Sequence, residues 1–341
     1  MSTVTAAGAE DALVASARAG HELRYPDGPP PGVLAEAMLE GPTAAIRAAR
    51  ERNPALAALE LEAGLERLEH EWIAFQGLQM HLEVHPVSEA APTLVIAPGL
   101  GDHARRQVGL AVALAERGLN CVVVDRRGHG ISEGRRGDAT LEADFALLES
   151  AIGFARSRFE GPVVLLGDSL GGIMSWYLLT RKPDVEAAVC HCVGHPDVHH
   201  DPSFRFKAPL IRALARVAPY APIPVRQIAD YDHVALDPET KRYFDERIDR
   251  LFNFEVTARS VASYVGFRPA IPWQRVTTPV LVLIGSMDRM VSPEFTRRSL
   301  AAAAPPRAEY VEVEGAGHQL FLDDLGLVVD PLERWLRAAC A

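Results

Sequence analysis

A serine set between glycines, in Gly167-Asp168-Ser169-Leu170-Gly171-Gly172, is where residue type and spacing in this chain first suggest chemistry. The motif follows an apolar run, residues 162–166, and leads into a helix-like stretch, residues 173–179. Strand, sharp turn and helix with a serine at the apex is the pattern that lifts a hydroxyl clear of a sheet. Gly167 and Gly171 remove the side chains that would clash in such a turn. A serine hydroxyl is a weak nucleophile unless a histidine takes its proton and a carboxylate orients that histidine.

The partners are sought further along the chain, in the order Ser, Asp or Glu, His. Of the twelve histidines, only His318 lies in the last quarter. It follows a short apolar run in the small-residue segment Glu314-Gly315-Ala316-Gly317, where a loop could swing an imidazole over the sheet edge. Asp288 follows the apolar run 280–284 by a three-residue turn, which puts it at the carboxyl end of a strand, where sites form in open α/β sheets. Asp197 is the reserve acid; a turn-capping role suits it better. For an oxyanion hole, the run 93–97 ends in Pro98-Gly99-Leu100-Gly101-Asp102-His103. The backbone N–H groups of Leu100 and Leu170 are the expected donors, with Gly99 and Gly101 allowing close backbone approach.

Two other readings compete for these residues. Gly99-Leu100-Gly101-Asp102-His103-Ala104 after a strand, with Asp125 ending the next one, also fits a dinucleotide-binding fingerprint. Pro98 between strand and glycine counts against it, as does the role the loop already has in a complete hydrolytic set. Cys190, His191, Cys192, His195, His199 and His200 form a cluster with metal-ligand chemistry. The first three lie on a buried strand, where alternation sends neighbouring side chains to opposite faces. The expectation is therefore no metal and no cofactor.

The elements needed to hold these residues can be read from the pattern. Residues 72–84 read as a hairpin turning at Gln76-Gly77. Apolar runs at 93–97, 120–125, 163–166, 187–193, 280–284 and 310–313 alternate with helical stretches, which predicts an α/β fold with a doubly wound, mostly parallel sheet. Residues 1–70 form an alanine- and glutamate-rich extension, with a mobile start and helices expected over 33–50 and 56–68. Its stripe of Leu56, Leu59, Ala63 and Leu65 is expected to dock on the main domain. Residues 195–273 read as a helical insertion dividing the core into 71–194 and 274–341, with helical pieces at 210–217, 238–251 and 254–265. Within it, Leu210, Ile211, Leu214 and Val217 form a stripe expected to pack inward, with a transient membrane-surface contact as the alternative.

At 341 residues with a formal charge of −10, the chain has no basic track suited to nucleic acid. No window matches a membrane span, and the N-terminus lacks a signal-peptide pattern, so a cytoplasmic location is expected. The four cysteines are expected to be reduced, and all but Cys340 buried.

From residue 72 onward, these motifs and Asp125-Arg126-Arg127-Gly128-His129-Gly130-Ile131-Ser132 together resemble the monoacylglycerol lipase and lysophospholipase branch of the α/β-hydrolases, of the serine aminopeptidase S33 type. The resemblance implies an eight-stranded α/β-hydrolase fold with the insertion as a helical cap. It implies hydrolysis of small-molecule carboxylic esters of apolar acyl groups through an acyl-enzyme, with Ser169 as nucleophile, His318 as base and Asp288 as acid. His129 would then belong to a structural loop beside the site. Acyl transfer, thioester, amide or C–C cleavage would use the same triad, and a ligand-binding sensor without turnover is the non-enzymatic alternative. The sequence departs from the family at Pro98 and Asp168, where histidine is usual, and in its N-terminal extension, which could cover the cap or build a homo-oligomer interface.

Overall fold

The computed structural model describes residues 22–25, 27–198 and 204–340. Eight strands form the main sheet: β1 (Glu69–Phe75), β2 (Leu78–His85), β3 (Thr93–Ala97), β4 (Asn120–Val124), β5 (Val163–Gly167), β6 (Ala187–His191), β7 (Val280–Gly285) and β8 (Ala308–Val313). Their spatial order is β8-β7-β6-β5-β3-β4-β2-β1. The six strands from β3 to β8 are mutually parallel, and the β1–β2 hairpin adds to β4 through antiparallel pairing.

The central strands are apolar at nearly every position because both faces of the sheet are covered. Val95, Ala97, Leu165 and Val282 enter one core with helices α6 (Leu141–Arg158) and α7 (Leu170–Leu178). Leu94, Ile96, Val164 and Leu283 enter the other, with α5 (Val108–Ala115) and α11 (Leu325–Ala339). Leu56, Leu59 and Leu61 of the N-terminal segment are buried in that second core.

The N-terminal segment is more broken than its periodicity suggests. It forms α1 (Gly32–Met38), α2 (Glu40–Arg50), α3 (Pro54–Ala57) and α4 (Leu61–Arg67). The break before α4 falls at Glu60, whose ψ is 58° and whose N–H donates to Glu116. Residues 1–21, which include the start expected to be mobile, lie outside the described residues.

Between β6 and β7 lie α8 (Phe204–Val217), α9 (Pro238–Asp245) and α10 (Ala258–Val265). The helix expected to reach residue 251 stops at Asp245. Arg247 follows at φ 53°, and the Asp249 carboxylate accepts the N–H groups of Leu251 and Phe252, a local bonding mode that competes with helix. Residues 255–257 are a short strand paired with 222–224 rather than helix. Helix α8 is tied to α10 by Arg212 donating to the Val265 carbonyl. Contrary to the expected inward packing of its stripe, Leu210 and Val217 stay 72% and 83% exposed.

Candidate active site

Ser169 sits in the two-residue gap between β5 and α7 with φ 52° and ψ −115°, a left-handed φ that costs a non-glycine residue on the order of 1–3 kcal/mol. Its neighbours hold it there: Asp168 N–H donates to the Ala97 carbonyl, and Gly171 N–H to that of Asp168. A Cβ on Gly167 would lie 2.2 Å from the Gly171 carbonyl oxygen and one on Gly171 2.0 Å from that of Ala97, so both glycines of the turn are sterically required. The Ser169 hydroxyl lies 2.9 Å from His318 Nε2.

His318 occupies the loop after β8, which is pinned where Gly317 N–H donates to Asp324. Its Nδ1 lies 2.8 Å from Asp288 Oδ2, just past the end of β7. The other carboxylate oxygen, Oδ1, accepts the N–H groups of Met290 and Val291, both at 2.9 Å. Asp288 and His318 are buried. Burial resists charge on both, but their mutual attraction and hydrogen bond outweigh it. His318 is held above the usual imidazole range and Asp288 well below the usual carboxylate range.

The loop after β3 lies against the serine: a Cβ on Gly99 would stand 3.4 Å from Ser169 Cβ. Arg126 donates to the Gly99 carbonyl, Asn253 N–H to that of Gly101, and Tyr231 Oη to that of Leu100. Gly101 has φ 76°, and Leu170 is the first residue of α7. A cavity opens over Ser169 and His318, lined on its polar side by Asp102, Arg106, Asp168 and Gln319 and walled on the other by Leu100, Tyr231, Val234, Phe244, Phe252 and Met290. Four of these six residues come from the insertion.

Other candidates are placed elsewhere. The Asp197 side chain is 88% exposed, lies 3.9 Å from His195 and does not line the cavity over Ser169. His129 is buried between Arg126 and the Arg127 carbonyl and so braces the loop under Gly99. Asp125 is fully buried and spent on His81 and on the N–H groups of Ala104 and Ile131, which removes the acid the dinucleotide reading requires. Cys121, Cys190 and Cys192 are buried free thiols, and Cys340 is partly exposed. His199 and His200 lie outside the described residues.

Strand alternation does not extend through the whole Cys/His cluster. Strand β6 ends at His191, and Cys192 turns at φ 70°. Its sulfur therefore returns to the side of His191, within 4.8 Å of donor atoms of His191, Asp288 and His318. Sequence reasoning also missed the pair formed by His191 Nδ1 and Asp168 Oδ1 at 2.6 Å. The available signal was an acidic residue directly before Ser169, facing a strand that carries a histidine.

The family model described as serine aminopeptidase, S33, matches residues 88–324. The chain belongs to this family. This S33 member is an α/β-hydrolase, and it is 26% identical over 278 residues to a monoacylglycerol lipase of Mycolicibacterium smegmatis, covering 79% of this chain and 97% of that protein. Its fold is similar to that of the monoacylglycerol lipase of Paleococcus ferrophilus, with a TM-score of 0.63 at 23% identity, covering 76% of this chain and 99% of the other. A soluble variant of monoglyceride lipase from Saccharomyces cerevisiae, in complex with a substrate analogue, gives 0.67 at 15% identity, covering 80% and 96%. Among the described residues of this S33 chain, no helix is long and apolar enough to cross a membrane.

Proposed function

We propose that this chain hydrolyses small-molecule esters of apolar acyl groups, of the monoacylglycerol type, with Ser169 as nucleophile, His318 as general base and Asp288 as the orienting acid. The chain is a carboxylic ester hydrolase. The observation that carries the reading is the unbroken run from Ser169 Oγ to His318 Nε2 and from His318 Nδ1 to Asp288 Oδ2, at 2.9 and 2.8 Å, on the floor of a cavity with an apolar wall of Leu100, Tyr231, Val234, Phe244, Phe252 and Met290 and a polar one that includes Asp102 and Arg106.

In this reading Ser169 Oγ attacks the ester carbonyl while its proton passes to His318 Nε2. Negative charge builds on the carbonyl oxygen, where the N–H groups of Leu100 and Leu170 are the proposed donors; each is worth about 3–4 kcal/mol of barrier. The intermediate collapses, His318 protonates the departing alkoxide, and the acyl group stays on Ser169 as an ester. Water, deprotonated by His318, then releases the carboxylic acid and restores the serine. Leu100, Tyr231, Val234, Phe244 and Phe252 would take up the acyl chain, and the strained backbone at Ser169 keeps the hydroxyl projecting toward it.

The test is hydrolysis of p-nitrophenyl esters and 1-monoacylglycerols of graded chain length by the full chain. The reading expects a p-nitrophenol burst that saturates near one equivalent of protein and release of free fatty acid. Absence of turnover across the panel would count against it.

A further inference from the structure

Asp168 and Asp288 face each other across one buried imidazole. His191 is fully buried, with Nδ1 2.6 Å from Asp168 Oδ1 and Nε2 3.9 Å from Asp288 Oδ2, the same oxygen that bonds His318. The second oxygen of Asp168 accepts from Gln107 Nε2 at 2.9 Å. His191 Nε2 is buried and has no hydrogen-bond partner. The rings of His191 and His318 are 5.2 Å apart, and Phe321 meets His191 edge-on at 5.6 Å.

The protonation state follows from what each nitrogen faces. With Nδ1–H given to Asp168, a neutral ring would turn a bare lone pair toward the Asp288 carboxylate, placing electron density against an anion. A protonated ring turns an N–H toward it instead, and two carboxylates then flank one cation. The titratable groups facing His191 are Asp168 from the nucleophile turn, Asp288 after β7, His318 and Asp324 after β8, and Cys192 on its own strand end. Their balance raises His191 above the usual imidazole range against the opposing effect of burial.

We propose that His191 is a positioning residue for the triad: an imidazolium clamped by Asp168, it directs Nε2–H at Asp288 Oδ2 and balances the Asp168 charge that His318 would otherwise feel. This rests on the triad reading above. Without His191, Asp168 and Asp288 would both stabilise protonated His318, and the base would be locked in the form that cannot accept the serine proton. The acid before the nucleophile and the histidine on the neighbouring strand thus act as one charge-neutral unit.

The experiment is the pH profile of kcat/KM for the wild type, His191→Gln and the double variant Asp168→Asn/His191→Gln, each normalised to sites labelled by a fluorophosphonate. In His191→Gln the acid limb is expected to move up by about one pH unit, the scale of an uncompensated charge within ~4–6 Å. In the double variant it is expected to return to the wild-type position, because both charges are gone. A purely structural His191 would lower kcat/KM in both variants without moving the limb. An unmoved limb in His191→Gln, or a double variant that stays shifted, overturns the proposal. Should His191→Gln fail to fold, nitrogen-15 spectra of assigned histidines in the wild type at pH 7 decide: two protonated ring nitrogens on His191 support the proposal, and a bare Nε2 overturns it. If the wild type is not labelled at Ser169, the triad reading itself has failed; labelling with an unmoved limb sinks only the role of His191.

Discussion

Gly171 packs against the end of β3 so closely that a Cβ there would stand 2.0 Å from the Ala97 carbonyl oxygen. The turn carrying Ser169 and the loop carrying Gly99 and Leu100 are therefore held in register by backbone-to-backbone contact. Gly171→Ala should push them apart. The expected result is a loss of roughly 1–3 kcal/mol of stability from overpacking and a fall in kcat/KM of about 10²-fold, the scale for a misplacement near 1 Å. Urea unfolding and ester kinetics check the two parts separately.

Asp288→Asn should preserve the backbone bonds from Met290 and Val291 while removing the charge that fixes the His318 tautomer. A fall in kcat of about 10⁴-fold is expected. A variant that keeps more than a tenth of wild-type kcat would show that the acid lies elsewhere.

The pH dependence has a definite sign. The Asp288 charge and hydrogen bond outweigh burial and raise His318, and the base must be unprotonated to act. Activity should therefore rise with pH along a limb whose midpoint lies above the ordinary imidazole value of about 6.5. A kcat/KM profile with its acid midpoint at or below about 6 would contradict this assignment of the base.

Asp323, five residues past His318, gives a stability prediction independent of activity. One carboxylate oxygen accepts from Thr240 Oγ1 at 2.7 Å and the other is buried without a partner. Burial, with Asp237 and Asp324 nearby, pushes Asp323 up to about 7. The unfolded chain releases this proton near pH 4, so the folded state is increasingly penalised between about pH 4 and 7, and the penalty is constant above that range. Asp323→Asn removes the penalty. Its stability relative to the wild type should grow from pH 4 to pH 7.5, by no more than about 4 kcal/mol. Parallel stability curves over that range would show that Asp323 ionises normally.

The sequence made the skeleton of the site legible because each part has a local signature. Ser169 is marked by its glycines, Asp288 by a short turn after an apolar run, and His318 by being the last histidine, in a small-residue loop. Six parallel strands were readable as apolar runs because burial on both faces leaves few polar positions in them. What escaped depended on distant partners. The Asp168–His191 pair joins residues 23 positions apart across adjacent strands, and Cys192 turns inward at a backbone angle its residue type does not favour. The α9 boundary was missed because Asp249 bonds its own following backbone. The tie between the N-terminal segment and the site was equally hidden: Asn53, which caps α3, donates to the carbonyls of Leu322 and Asp323 on the loop after His318.

The central claim is that Ser169 is the nucleophile, and labelling with a fluorophosphonate followed by peptide mapping tests it most directly. One adduct per chain is expected, on the peptide containing Ser169, with ester hydrolysis lost in proportion and absent in Ser169→Ala. An adduct on a different residue, or a Ser169→Ala variant that hydrolyses esters at the wild-type rate, would contradict it.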